Sequence, residues 1–222
     1  MFMGHYAAAI MAKAVKPKLS LWIYVGAAQL LDIIWAVLVL CRVERLSFNH
    51  DLPGSVLVLE YMPWSHSLEF ALVWSAIVVV IARWSGSVPS QSIVLGLVVI
   101  SHWLFDLMVH RPDLALWRDG PIVGLGLWDI PIIEQIIEIG LLGLASVVWA
   151  GVLEKSSNYI WPVVTFLTYC LGIQMLAQML PAPTNATALL INALLVFAIS
   201  TVVAALIDPY IRPQRQTILT RF

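Results

Sequence analysis

The chain has little charge: only 11% of its 222 residues are Asp, Glu, Lys or Arg, whereas 61% are hydrophobic. A soluble domain carries about 25% charged residues and about 45–50% apolar ones. Together with a mean hydropathy of +0.91, this composition excludes an ordinary soluble domain and indicates an integral membrane protein. The formal net charge of −1 also lacks the basic excess typical of nucleic-acid binding. We therefore expect membrane lipid, and no nucleic acid, as a partner.

Cysteine is scarce as well. Cys41 and Cys170 both fall inside apolar runs, where a small buried side chain is a commoner role than a disulfide or redox pair. A structural zinc site built on cysteine is therefore disfavoured. A signal peptide is not expected either, because lysines follow the apolar segment Phe2 to Val15 instead of preceding it.

The apolar runs predict an all-α polytopic membrane protein, a single helical domain over 1–222 with six transmembrane helices and a short N-terminal inserted helix. That N-terminal segment, Phe2 to Val15, is shorter than the about 20 residues that cross a bilayer and is followed by Lys16-Pro17-Lys18. We expect a mixed loop over 42–63 and a basic tail over 208–222. The six predicted spans are Leu19 to Cys41, Ser65 to about Arg83, Ile93 to Val109, Ile132 to Leu153, Tyr159 to Leu180 and Ala186 to Ile207.

The distribution of positive charge predicts an orientation. With six spans, eight Lys and Arg residues flank one side of the membrane and four flank the other. Because cytoplasmic segments carry the excess of positive charge, we expect the turn after the N-terminal helix and the C-terminus to lie in the cytoplasm.

The third predicted span carries an unusual set of ionisable residues. His102, Asp106 and His110 lie four residues apart, which puts them on one face of a helix. Ionisable side chains inside a bilayer are costly and usually face a partner or a cavity. Interhelical hydrogen bonds or a helix-end ion pair are the structural alternative. His110 lies near the membrane edge beside Arg111, so we expect this pair at the rim of a site, as substrate contacts.

Helical rise relates this set to other parts of the chain. At about 1.5 Å per residue, polar side chains from almost every segment fall roughly 15 to 25 Å above the cytoplasmic ends of their segments. Polar residues without a common role need not lie at the same height. The similar heights therefore predict a site in the outer half of the membrane. The ionisable members of this layer are His5, Asp32, His66, His102, Asp106 and Glu138.

The donor types in this layer predict a metal site. Imidazole and carboxylate ligands favour Zn²⁺ or another first-row divalent ion such as Mn²⁺ or Fe²⁺. Glu138 or Glu69 would act as general base towards a metal-bound water, although Glu69 also fits a role at a helix N-terminus alone. Arg111 would contact a phosphate or carboxylate of the substrate. The expected ligands, enough for one open site or a crowded pair of ions, are His5, Asp32, His66, His102 and Asp106.

Four short motifs resemble those of a known family: Gly4-His5-Tyr6-Ala7, Gln29-Leu30-Leu31-Asp32, Ser65-His66-Ser67, and Ser101-His102 with Asp106. They are similar to the YdjM-like family of bacterial inner-membrane proteins, which are described as metal-dependent hydrolases and are distantly linked to zinc-dependent phospholipase C. A set of uncharacterised bacterial membrane proteins is more similar still, since it adds the His-Arg-Pro-Asp block at 110–113, the stretch Gly124 to Trp128 and Glu138.

The resemblance covers roughly residues 1–140, and the last two spans, within 159–207, match in hydropathy only. It implies a bacterial inner-membrane protein whose metal ligands are the five residues named above. The block at 110–113 departs from the YdjM-like pattern, which usually continues differently after Asp106.

Three functions remain open from the sequence. The first is a zinc-type hydrolase with an amphipathic substrate, a lipid or a prenyl-linked phosphate, because a soluble substrate has little need of a membrane-buried site. The second is a transporter of protons or divalent cations that uses the same polar layer, against which the apolar inner halves of the spans count. The third is a scaffold in which the metal only joins helices, so that metal removal unfolds the protein.

Overall fold

The structure is a computed structural model and describes residues 2–157 and 160–211, so the predicted basic tail lies outside the described residues from position 212 on. The described part is mostly helical with little sheet, and it contains helices long and apolar enough to cross a membrane. The helices are a 3₁₀ turn (Met3–His5), α1 (Tyr6–Val15), α2 (Leu21–Ala28), α3 (Leu30–Leu40), α4 (Pro63–His66), α5 (Leu68–Trp84), α6 (Pro89–Val109), a second 3₁₀ turn (Leu127–Asp129), α7 (Pro131–Ser157), α8 (Trp161–Met179) and α9 (Ala186–Ile211).

Within the described residues, four helices are long and apolar enough to cross a membrane, namely α6, α7, α8 and α9. A fifth crossing results if α2 and α3 form one bent span. The second predicted span corresponds to α5, which has 17 residues and is short of the about 20 that a crossing requires. Helices able to span a membrane are therefore present, and the number six stays a prediction.

The first predicted span is interrupted at Gln29, where α2 and α3 meet at an angle of 49°. Gln29 leaves the helical backbone conformation, with φ −102° and ψ 6°, and its buried amide donates to the carbonyl of Phe2 at 3.5 Å. A broken helix is tolerated at membrane depth where other groups satisfy the freed backbone atoms. Here the carbonyl of Ala28 accepts a hydrogen bond from a side chain of α6, so the break serves the site described below.

The short helix α1 lies at the centre of the helical bundle, packed against α2, α6 and α7. Seven of its ten residues are buried. Its alanines allow neighbouring backbones to approach closely, and a helix that is apolar all round is expected in the interior of a protein. The N-terminal segment is thus a core element that positions His5.

Helices α5 and α6 also approach closely. A Cβ atom added at Gly96 would lie 2.5 Å from Val79 Cγ2, and the hydroxyl of Ser75 donates to the carbonyl of Gly96 at 2.8 Å. This contact fixes α6, the helix that carries His102 and Asp106, against its neighbour.

The segment predicted as a mixed loop over 42–63 contains an antiparallel hairpin of β1 (Arg45–Phe48) and β2 (Leu57–Tyr61). The one-turn helix α4 follows it and carries His66. A second small hairpin, β3 (Leu114–Ala115) and β4 (Ile122–Val123), follows α6. Both hairpins lie in connections between helices, where sequence periodicity is too short to indicate a strand.

A buried ion pair joins the ends of three helices at the far end of α1. Lys13 Nζ lies 3.0 Å from Asp208 Oδ1 of α9 and donates to the carbonyls of Pro17 and Leu19 at 2.9 and 2.8 Å. Asp208 Oδ1 also accepts the backbone N–H of Leu21, the first residue of α2, at 2.8 Å. Both side chains are at most 4% exposed, so neither charge has water as an alternative partner.

We expect Asp208→Asn to destabilise the fold strongly, because it leaves the Lys13 ammonium buried without its counter-charge. Breaking a buried pair by removing one partner costs about 3–5 kcal/mol. Thermal unfolding in detergent measures the effect. The matched control is Lys18→Met, at an exposed position, which should leave the midpoint nearly unchanged; equal midpoints for Asp208→Asn and wild type would contradict the assigned role.

Candidate metal centre

Six ionisable side chains from different segments meet around one face of α6. The structure brings together all five residues expected as ligands, and His110 joins them. The 3₁₀ turn before α1 supplies His5, α3 supplies Asp32, α4 supplies His66, α6 supplies His102 and Asp106, and the residue after α6 is His110.

Asp106 lies at the middle of this cluster. Its Oδ1 atom is 3.2 Å from His5 Nε2 and 3.5 Å from His110 Nε2. Its Oδ2 atom is 3.1 Å from His102 Nε2 and 3.6 Å from His66 Nε2. Four imidazoles therefore point their Nε2 atoms at one carboxylate whose side chain is 2% exposed.

Asp32 is the second carboxylate of the cluster. Its Oδ1 atom lies 3.4 Å from His66 Nε2 and 3.6 Å from His102 Nε2. Its side chain is 19% exposed, whereas the imidazoles are at most 5% exposed. Asp32 is thus the member of the cluster most open to the solvent side.

Hydrogen bonds at Nδ1 orient two of the imidazoles, His102 and His110. His102 Nδ1 lies 2.7 Å from the carbonyl of Ala28, at the break between α2 and α3. Since a carbonyl only accepts, the proton of a neutral His102 sits on Nδ1 and Nε2 keeps its lone pair. His110 Nδ1 lies 3.0 Å from Asp113 Oδ1, which favours the same tautomer. Such partners orient the histidine ligands of metal sites.

His66 is oriented through a relay of two residues. Its Nδ1 atom lies 2.8 Å from Ser65 Oγ, and the Ser65 hydroxyl donates to Glu44 Oε2 at 2.6 Å. Glu44 Oε1 accepts the backbone N–H groups of Trp64 and Ser65 at 2.8 and 2.9 Å. Burial raises the pKa of Glu44, and the hydrogen bonds from Ser65 and Trp64 offset part of that shift. Glu44 fixes the start of α4 and the ring of His66 together.

Sequence reasoning missed Glu44. It lies in the segment expected to be a polar loop, 22 residues before His66, and no helical spacing relates the two. Only the pairing of β1 with β2 brings the two ends of that segment together. The one local signal is the pair Ser65-His66 at the start of a helix, because an orienting serine hydroxyl itself needs an acceptor such as a carboxylate.

His5 stacks on His102 with ring centroids 3.7 Å apart and planes 4° apart. His5 Nδ1 is buried without a hydrogen-bond partner among the described residues. His5 Nε2 and His102 Nε2 lie 3.2 and 3.1 Å from Asp106 but make no hydrogen bond of regular geometry there. Buried polar atoms without a partner are rare in folded proteins and call for an explanation.

The cluster has the donor chemistry of a divalent metal site. The donor atoms of His5, Asp32 and His102 all lie within 4.8 Å of one another, and so do those of His66, His102 and Asp106. Neutral imidazoles and carboxylates suit Zn²⁺ and its first-row neighbours. Among the described residues, the Nε2 atoms of His5 and His102, which face Asp106 without a regular hydrogen bond, are the observation that best fits an ion at this position.

Glu138, expected as a general base, anchors the N-terminal turn. Its Oε1 atom accepts the backbone N–H groups of Phe2 and Gly4 at 2.6 and 2.7 Å, and its Oε2 atom accepts from Gln174 at 3.0 Å. The carboxylate also lines the cavity next to the cluster. Its observed contacts fix the backbone immediately before and after Met3, and thereby the position of His5.

Two other expected site residues lie outside the cluster. Glu69 is exposed and its Oε2 atom accepts the backbone N–H of Arg118 at 3.2 Å. The guanidinium of Arg111 contacts Asp129 Oδ1 at 2.7 Å and the carbonyl of Pro53 at 2.9 Å. These contacts join the loop between β1 and β2 to the second 3₁₀ turn, and neither side chain lines the cavity described next.

His110 lies deeper than the rim position expected for it. The side chain is buried and faces Asp106, while the ring of Trp128 covers it with centroids 4.1 Å apart. The estimate from helical rise put His110 above the polar layer because it assumed that α6 continues through this residue. In the structure α6 ends at Val109 and His110 has an extended backbone, with φ −64° and ψ 146°.

A cavity of about 460 Å³ opens beside the cluster. Four cluster residues, Asp32, His66, Asp106 and His110, form one part of its wall. Apolar residues from the end of α8 and from α9 form another, and the tip of the β1–β2 hairpin forms a third. The last two helices, for which no role was predicted, therefore line the space next to the candidate metal centre.

We expect Glu44→Gln to weaken metal binding by about 10- to 100-fold, because removing the partner behind a histidine ligand typically has that effect. Competition with a fluorescent chelator in detergent measures the affinity. Glu60→Gln is the matched control, since Glu60 is exposed on β2 of the same hairpin. An unchanged affinity in Glu44→Gln would contradict the relay through Ser65.

Comparison of the chain with protein-family models, with curated proteins and with solved structures found no match. The resemblance to the YdjM-like family thus stays a prediction, and the function is argued from the geometry of the site.

Proposed function

We propose that this protein is a membrane-embedded, metal-dependent hydrolase that acts on an amphipathic substrate, a lipid or a prenyl-linked phosphate. The observation that carries the proposal is the lining of the cavity. The His and Asp cluster forms one part of this lining, and apolar residues of α8 and α9 form another. A substrate with one polar, hydrolysable end and one apolar chain matches both parts.

The apolar part of the wall supports a lipid-like chain. Leu189, Ala193 and Phe197 lie on one side of α9 at a spacing of four residues, and residues at this spacing share a helix face. Ala177 and Leu180 extend the surface from the end of α8. Small-molecule sites are commonly lined by apolar residues, with a few polar groups that fix orientation.

The cluster supports hydrolysis at the polar end. A bound divalent ion would polarise the ester or phosphoryl oxygen and lower the pKa of a coordinated water. The water oxygen then bonds to the carbon or phosphorus atom, the ester bond breaks, and the water proton passes to the leaving alcohol. Glu134 and Glu138 line the same cavity, so either carboxylate is positioned to carry that proton.

The remaining expectations fit this proposal. Six spans, with α5 and the bent α2–α3 pair crossing alongside the four long helices, would place the N-terminal turn and the C-terminus in the cytoplasm and the cavity in the outer half of a bacterial inner membrane. The resemblance to the YdjM-like hydrolases supports the same reaction class, with Zn²⁺ as the preferred ion.

Transport of protons or cations through the cluster finds less support. Between His5 and Lys13, α1 contains no Asp, Glu or His, and neither does α2. The inner half of α6, from Ile93 to Ile100, has none either. A cation pathway needs polar groups on both sides of its binding site.

Substitution of cluster residues tests the proposal. We expect His102→Ala and Asp106→Asn to lower the amount of bound metal and to reduce lipid turnover at least 100-fold, because each removes a donor next to the reacting group. Purified protein in lipid nanodiscs is assayed by mass spectrometry against phospholipids and prenyl phosphates. His50→Ala, in the exposed loop, is the control. Metal binding with no turnover of any of these substrates, together with metal-dependent ion flux in proteoliposomes, would favour transport instead.

Filling the apolar part of the cavity tests the substrate class. We expect Ala193→Trp to reduce turnover of long-chain substrates about 10-fold or more and to spare water-soluble short-chain analogues, because the added ring occupies the space for the chain. Bound metal should stay at the wild-type amount. The exposed Ala188 on the same helix provides the control Ala188→Trp. Equal losses for long and short substrates would contradict a chain-binding role.

A further inference from the structure

We propose that the cluster binds two divalent ions, bridged by Asp106. The number of donors supports a pair: an open zinc site uses three protein ligands and a water, whereas this cluster presents four imidazoles and two carboxylates. This inference rests on the metal-binding part of the proposed function, and it concerns the number and division of the ions rather than the reaction.

The two oxygens of Asp106 face different imidazoles. His5 and His110 lie next to Oδ1, at 3.2 and 3.5 Å, and His102 and His66 lie next to Oδ2, at 3.1 and 3.6 Å. A carboxylate on a single ion needs no such division. A carboxylate with each oxygen on its own ion places two imidazoles beside each oxygen, as observed.

The stacked rings of His5 and His102 also indicate two separate positions for ions. The rings of His5 and His102 are parallel within 4° and 3.7 Å apart, and their Nε2 atoms approach different oxygens of Asp106. Two stacked imidazoles whose Nε2 atoms approach different oxygens of one carboxylate can each bind an ion of their own. Ions in two-metal sites lie about 3.5–4 Å apart, a distance that one bridging carboxylate can span.

Three of the four imidazoles have one free ring nitrogen and so can bind one ion only. The Nδ1 atoms of His102, His66 and His110 contact Ala28, Ser65 and Asp113 respectively, which leaves one Nε2 donor on each ring. Asp32 Oδ1 lies within 3.6 Å of both His66 and His102 and completes the set around Oδ2.

The two ions therefore differ in coordination. The ion next to Oδ2 has four protein donors, from His66, His102, Asp106 and Asp32. The ion next to Oδ1 has three, from His5, His110 and Asp106, and keeps a position for water or substrate. Ligands of both ions line the cavity, and we assign the substrate to the ion next to Oδ1 because that ion keeps an open position.

Metal content measures the number directly. Protein stripped with chelator, reloaded with Zn²⁺ in detergent and desalted is analysed for metal per chain. We expect two ions in the wild type, one in His110→Gln and one in His5→Gln, with His50→Gln as a control that retains two. Saturation of the wild type at one ion, or two ions retained in His110→Gln, overturns the proposal.

A second measurement needs no variant and so does not depend on whether a variant folds. Protein loaded with Mn²⁺ is examined by electron paramagnetic resonance at two equivalents per chain. Ions about 3.5–4 Å apart with a shared carboxylate couple magnetically, so we expect a broad coupled spectrum; six-line signals of isolated ions alone overturn the bridge.

Turnover separates the two proposals. Two bound ions without hydrolysis of any lipid or prenyl substrate contradict the hydrolase and leave the metal pair standing. One bound ion together with lipid hydrolysis contradicts the metal pair and leaves the hydrolase standing.

Discussion

The structure depends on how the Asp106 carboxylate is stabilised inside an apolar helical bundle. A buried charge is costly unless it is paired, and four imidazoles direct their Nε2 atoms at this carboxylate from 3.1 to 3.6 Å. A cation held between these nitrogens and the carboxylate would supply the pairing charge. The imidazoles come from the N-terminal turn, from α4, from α6 and from the residue that follows α6. Segments far apart in the chain thus have one common point of contact.

Further hydrogen bonds orient the donor side chains on the side away from Asp106. The carbonyl of Ala28 orients His102, Ser65 and Glu44 orient His66, Asp113 orients His110, and Glu138 fixes the turn that carries His5. A site whose donors are fixed in this way loses little entropy when an ion binds, because the rings already point at one centre.

Part of this arrangement was predictable from the sequence. The spacing of His102 and Asp106 indicates a shared helix face, and helical rise brings His5, Asp32 and His66 to the same depth, because both arguments use only the regular geometry of helices. The arguments fail where the chain is irregular. The break at Gln29 has no Pro or Gly to mark it, α6 ends one residue before His110, and Glu44 reaches the site only through the β1–β2 hairpin.

Glu69 and the last two helices show that a single sequence also does not reveal side-chain direction or helix packing. Glu69 lies in the first turn of a helix beside the site, yet the direction of its side chain takes it to the surface and to the backbone of Arg118. The hydropathy of α8 and α9 indicates lipid contact, and it contains no information on which face encloses a cavity. Side-chain direction and helix packing depend on contacts between distant residues, which a single sequence does not present.

X-ray absorption at the zinc edge of the metal-loaded protein tests the central claim most directly, because it reports the atoms bound to the ion. We expect a first shell of nitrogen and oxygen at about 2.0–2.1 Å, with the multiple scattering typical of imidazole rings, and a smaller zinc signal per chain in His102→Ala, which loses a donor of one ion. A shell containing sulfur, a shell without imidazole scattering, or a zinc signal per chain unchanged by His102→Ala would contradict a metal centre at Asp106.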